Sequence, residues 1–120
     1  MTRDEQIIDQ AIRDKLNLPT SHRLTSKDRE RVRVLYLGDN QIADVTPLAE
    51  LTQLRALYLN NNQIADISPL AGLAQLRVLF LRHNRITDVT PLAELTQLEW
   101  LDLDHNPVTN RDALEIVRML

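Results

Sequence analysis

No cysteine occurs in the chain, and that one absence removes disulfides, thiolate metal sites and a cysteine nucleophile. It leaves the compartment open, because secreted proteins can also lack cysteine. Long apolar runs are missing too. The opening MTRDEQIIDQAIRDKL scatters charges throughout and has no apolar h-region, so it does not read as a signal peptide. No stretch is long enough to span a bilayer, and no membrane association is expected. On the sequence as it stands the chain is expected in the cytoplasm; a secreted or cell-surface parent is the alternative if a leader has been removed. Neither sign of charge dominates, and the net charge of −3 gives no general pull toward nucleic acid or anionic lipid. Aromatics are scarce: Tyr36, Tyr58, Phe80 and Trp100.

What is present fits one small soluble domain. The 120 residues are 43% apolar and 26% charged, a balance that favours a packed core over disorder. Self-similarity organises that core. From Val32 the chain falls into units of equal length, residues 32–53, 54–75 and 76–97, with a divergent unit from Leu98. The string DVTPLAELTQ occurs twice, at Asp44–Gln53 and Asp88–Gln97, which implies recent duplication or design from a consensus. In the second unit the apolar places are Leu54, Leu57, Leu59, Ile64, Ile67, Leu70 and Leu73; the third repeats them from Leu76 to Leu95.

Each unit predicts a short strand and a corner-turning coil. Leu57-Tyr58-Leu59 alternates inward and outward, as a strand does. Asn40, Asn62, Asn84 and Asn106 each follow the last strand leucine by the same interval. They are expected to turn inward and satisfy buried backbone groups. The residue before each, such as Asn61, is expected to be a bland solvent position. Pro47, Pro69 and Pro91 fix φ and are expected to stop a helix from starting early. One such coil cannot bury its own core, so stability comes from stacking.

The LxxLxLxxNxI spacing, followed by a DIxPLAxLTx half, resembles the leucine-rich repeats of bacterial internalin-like proteins. The resemblance implies an α/β repeat fold: a right-handed solenoid with short parallel strands on its concave face and a helical cap at each end. Residues 1–31 are the expected N-terminal cap. Ile7, Ile8, Ala11, Ile12 and Leu16 lie at helical spacing there, and Asn17 and Pro19 end the helix. LTSKDRERVRVLYL is similar to the family's entry cap, with Arg29 where that pattern has leucine. Residues 32–97 are three regular repeats, and 98–120 a divergent fourth repeat with a C-terminal capping helix. In that fourth unit Arg111 and Ala113 replace Ile67 and Pro69 of the second, and 112–120 reads as amphipathic.

The resemblance specifies the fold and leaves function to the surface. In an alternating strand, residues between the inward leucines share the outer face. All four aromatics fall there, with Tyr36, Tyr58 and Phe80 in one row and Trp100 diagonally beside it. Beyond them the repeats carry Gly38-Asp39, Asn60-Asn61, Arg82-His83 and Asp104-His105. The expected binding residues are Tyr36, Tyr58, Phe80, Trp100, Asn60, Arg82, His83, Asp102, Asp104 and His105. Cross-strand stacking alone is the competing explanation for the rings, and neutral drift for the varying residues. Arg33, Arg55 and Arg77 form a second row, ending at Glu99. A solvated ladder with local ion pairs, Asp44, Asp66 and Asp88 recurring in the same units, is favoured over a nucleic-acid site.

His83 and His105 sit at equivalent places beside Asp104, but a third strong ligand is lacking, so no metal or cofactor is expected. An open face offers no nucleophile with a base and an orienting group, so an enzyme is not expected either. The function expected is a protein-binding module, a monomer docking an unidentified protein on its concave face. A structural or engineered scaffold with no natural partner is the alternative.

Overall fold

A computed structural model describes residues 1–110. Strands β1 (Val34–Tyr36), β2 (Ala56–Tyr58), β3 (Val78–Phe80) and β4 (Trp100–Asp102) form one parallel sheet in chain order. Leu35, Leu57, Leu79 and Leu101 pair across it in register, each a whole repeat from the next. The backbone ladder continues past each strand end, with Leu37 N–H donating to Tyr58 C=O and Leu59 N–H to Phe80 C=O, both at 2.8 Å. Parallel neighbours need a long crossover, and the remainder of each repeat provides it.

The opposite wall is built of short 3-10 helices, Thr46–Glu50, Ser68–Leu70 and Thr90–Glu94. Proline does not delay them, as the sequence suggested. Each helix starts one residue before its proline, whose fixed φ and missing N–H suit a first turn. The start is secured by the aspartate ahead of it. Asp44, Asp66 and Asp88 accept the amides of Thr46, Ser68 and Thr90, each at 2.9 Å. Hydrogen bonds from Thr46 and Thr90 side chains, and from the Ser68 amide, hold these carboxyls below their usual pKa. The acids therefore cap turns rather than pair with the arginine row.

Between the two walls every predicted core residue of the second and third units is buried, from Leu54 to Leu95. Asn62 and Asn84 are buried among them. Asn62 Oδ1 accepts from the amides of Asn40 (3.1 Å) and Ile42 (2.9 Å), while its Nδ2 donates to Leu37 C=O (3.0 Å). Asn84 and Asn106 repeat the pattern one and two units on. Asn40 differs. It has no earlier repeat to reach, and among the described residues its Nδ2 donates only to Gly38 C=O at 3.2 Å.

Helix α1 (Arg3–Leu16) closes that end, lying against β1 and the first 3-10 turn. Thr2 caps its start, and Asn17 ends it in the left-handed conformation at φ 58° with its amide turned back to the last carbonyls. Ile8 and Ile12 are buried, and Ile7, Ala11 and Leu16 pack at the margin. Arg3 donates to the carbonyls of Asn40 (2.7 Å) and Gln41, and Asp4 accepts the amides of Ala43 and Asp44. These two side chains fasten the start of α1 to the first turn of the solenoid. Helix α2 (Ser26–Glu30) follows behind a capping box of Thr25 and Asp28. Arg29, in the place of a leucine, donates to Leu24 C=O and pairs with Glu50 at 3.3 Å. The expected closing helix over 112–120 lies outside the described residues.

Candidate protein-binding face

The strand pattern that sends Leu35, Leu57 and Leu79 inward sends their neighbours out. Two rows run across the sheet, Val34–Ala56–Val78–Trp100 and Tyr36–Tyr58–Phe80–Asp102. Tyr36 and Tyr58 stack with centroids 4.5 Å apart and planes at 17°, Tyr58 and Phe80 at 5.0 Å and 11°. Trp100 stands in the other row and meets Phe80 at 6.5 Å with a 39° tilt. Tyr36 and Trp100, the ends of the strip, are 65% and 61% exposed; Tyr58 and Phe80 are half-buried by their neighbours. Lys15, from the end of α1, places its Nζ 5.9 Å from the Tyr36 ring centroid. Sequence spacing alone could not bring that lysine to the strip. With rings packed face to face, the row offers mainly edges and two phenol hydroxyls outward.

The next row holds Gly38, Asn60, Arg82 and Asp104. A side chain at Gly38 would come within 3.0 Å of the Asn60 amide, so glycine makes room for Asn60. Arg82 Nη1 lies 3.5 Å from Asp104 and 3.9 Å from Asp102, a small acidic-basic knot at one end of the face. His83 and His105 stack at 4.2 Å with planes 7° apart.

That last row carries a signal the sequence reading passed over. Asp39, Asn61, His83 and His105 all have positive φ, between 57° and 62°. Left-handed backbone is tolerated best by Asn, Asp and His among side chains with a Cβ. The variation D, N, H, H is therefore confined to residues that fit this backbone, and Asn61 is not a bland position. The arginine row also departs from expectation. Arg33, Arg55 and Arg77 are exposed, and among the described residues none of them forms an ion pair.

Family profiles for leucine-rich repeats match residues 30–72 and 52–108. An internalin, InlF, from Listeria monocytogenes superposes with a TM-score of 0.81 and 31% identity over 90% of this chain and 32% of its own. The chain is a leucine-rich-repeat protein with internalin-like repeats. It spans about a third of InlF. The functional domain of InlJ, also from Listeria monocytogenes, shares the fold at TM-score 0.68 and 24% identity, over 82% of this chain and 21% of that one. That domain includes a cysteine ladder, whereas this chain has no cysteine and carries a ladder of asparagines. A leucine-rich-repeat protein of Leptospira interrogans also shares the fold, at TM-score 0.62 and 20% identity over 82% of this chain and 32% of its own. No curated protein sequence matches the chain. Leucine-rich-repeat domains are commonly interaction modules, and nothing in these likenesses points to catalysis.

Proposed function

We propose that the sheet face of this arc is a protein-docking surface centred on Tyr58 and Phe80. The observation that carries it is distribution. A chain with four aromatics places all of them on one outer face and none among its fully buried side chains. Stacked rings stabilise a sheet, but the ends of this strip, Tyr36 and Trp100, stay exposed, as an interface core before docking would. Asn60, Arg82, His83, Asp102, Asp104 and His105 form the polar rim that selects the partner by charge. The partner is a protein, bound by a monomer, without nucleic acid, membrane, metal or cofactor. The likeness to internalins favours a secreted or cell-surface parent over a cytoplasmic one.

Replacing Tyr58 and Phe80 together by serine should leave the fold intact and weaken the partner by about 2 kcal/mol or more, roughly thirtyfold in Kd. Chemical crosslinking from the source organism, with parent and double variant as baits, checks this. A partner held equally by both baits removes the strip from the interface. The scaffold alternative is favoured by one observation, the repeated DVTPLAELTQ string. It expects a small stability loss from broken stacking and no partner recovered by either bait.

A further inference from the structure

We infer that the docked element is an acidic amphipathic helix lying across β1–β3, which rests on the docking-face reading above and names its partner's chemistry. The starting point is a row of like charges that forms no ion pair among the described residues. Arg33, Arg55 and Arg77 are held in register by consecutive backbone bonds, Arg55 N–H to Arg33 C=O at 2.7 Å and Arg77 N–H to Arg55 C=O at 2.8 Å. Like charges on facing rungs repel. Among the described residues their guanidinium groups find one polar side-chain partner, Gln53, which accepts from Arg33 at 3.2 Å. Asp44, Asp66 and Asp88 of the same repeats are engaged on the other wall. Glu99 occupies the next rung, its amide donating to Arg77 C=O at 2.8 Å, but among the described residues it forms no ion pair with Arg77; the three basic rungs before it complement carboxylates brought by a partner.

The surface beside the row gives the rest. Val34, Ala56 and Val78 are short and half-buried. In each repeat they fall between the exposed arginine at the strand entry and the larger ring of the Tyr36–Tyr58–Phe80 row, and Trp100 continues their row. That row runs across the strands, so its period is the strand spacing, about 4.8 Å. Residues three or four apart on a helix advance about 4.5–6 Å, which keeps pace with the arginines. An extended segment puts same-side residues about 6.6 Å apart and falls out of step by the third arginine. The arginine, just ahead of each strand, and the aromatic at its end are three residues apart in the chain, a span of about 10 Å at most, close to the diameter of a helix.

Nucleic acid fits less well. Base stacking needs free ring faces, and the faces of Tyr58 are covered by Tyr36 and Phe80. Glu99, Asp102 and Asp104 then meet a phosphate backbone with like charge at the fourth repeat.

The test uses the full chain and a labelled synthetic helix of about four turns. Glutamates at i, i+4 and i+7 flank a leucine stripe; a second peptide carries lysines at those positions, and oligothymidine is the third probe. Fluorescence anisotropy should show the glutamate peptide binding more tightly than the lysine peptide. Arg55→Glu with Arg77→Glu should weaken it by about tenfold or more and reverse the preference, with circular dichroism confirming the fold. No binding of the glutamate peptide, equal binding of both peptides, or tighter arginine-dependent binding of oligothymidine overturns the inference. The same peptide on the Tyr58→Ser, Phe80→Ser variant separates the two readings. Binding lost there but indifferent to the arginines sinks the acidic helix and keeps the docking face; indifference to both changes sinks both.

Discussion

Asn62 and Asn84, one repeat apart, donate their side-chain amides to the same carbonyl, that of Leu59, each at 2.9 Å. Both lone pairs of one buried oxygen are thereby filled from two successive repeats. The rungs are coupled through backbone atoms as well as through packed leucines.

Asn62→Ala should therefore cost about 3 kcal/mol, since it strands Ile42 N–H and Leu37 C=O, and a stranded buried group costs about 1–3 kcal/mol. Asn106→Ala, at a half-buried rung, should cost less. Leu59 C=O keeps one donor in either Asn62→Ala or Asn84→Ala and loses both only in the double variant. The double should then fall short of stability beyond the sum by about 1 kcal/mol. Urea unfolding midpoints measure all three, and strict additivity would contradict the shared acceptor.

Asn61 is exposed, yet its φ of 57° constrains it. Asn61→Ala should cost about 1 kcal/mol and Asn61→Val more, while Asn61→Gly should be close to neutral. Thermal melting of the three variants checks the order. Alanine and glycine melting together would show that the left-handed turn carries no strain.

Acid should loosen the N-terminal cap through Asp28. The His22 imidazole 2.7 Å away, then the Thr25 amide, hold its carboxyl at about 2, below the ordinary 3.8. A folded-state value below the unfolded one means the contribution is complete above 3.8 and is lost as pH falls towards 2. Asp44, Asp66 and Asp88 shift in the same direction and give the parent a background of the same sign. Asp28→Asn should therefore be less stable than the parent above this window and converge on it below. Urea midpoints across the window, parent against variant, decide it; a constant gap would exclude Asp28.

The fold was legible because its determinants are periodic. Equal spacing of Leu57, Asn62 and Ile67 with their counterparts specifies register, core and ladder together, and the structure follows it rung by rung. Pro69 misled because its steric effect was weighed alone, whereas the Asp66 carboxylate ahead of it builds the turn that proline then enters. The aromatic row followed from strand parity, and Trp100 fell beside it as parity requires. Lys15 did not, because its approach to Tyr36 depends on how α1 docks, which no local pattern encodes. The left-handed row was visible in principle as D, N, H, H, a set whose common property is backbone tolerance rather than charge.

The Asn bonds also have a direction. Asn62 reaches back to Leu37 and Ile42, Asn84 to Leu59 and Ile64, so each turn is completed by the one that follows it. A turn spliced in between two others meets the same sockets its neighbours met, and a turn removed leaves matching ends behind. Length can then change in whole turns without new chemistry at the junctions. Each added turn also lengthens the outer face by one rung, so the reach of the molecule is set by copy number, and unequal recombination between the two DVTPLAELTQ segments is a direct route for changing it.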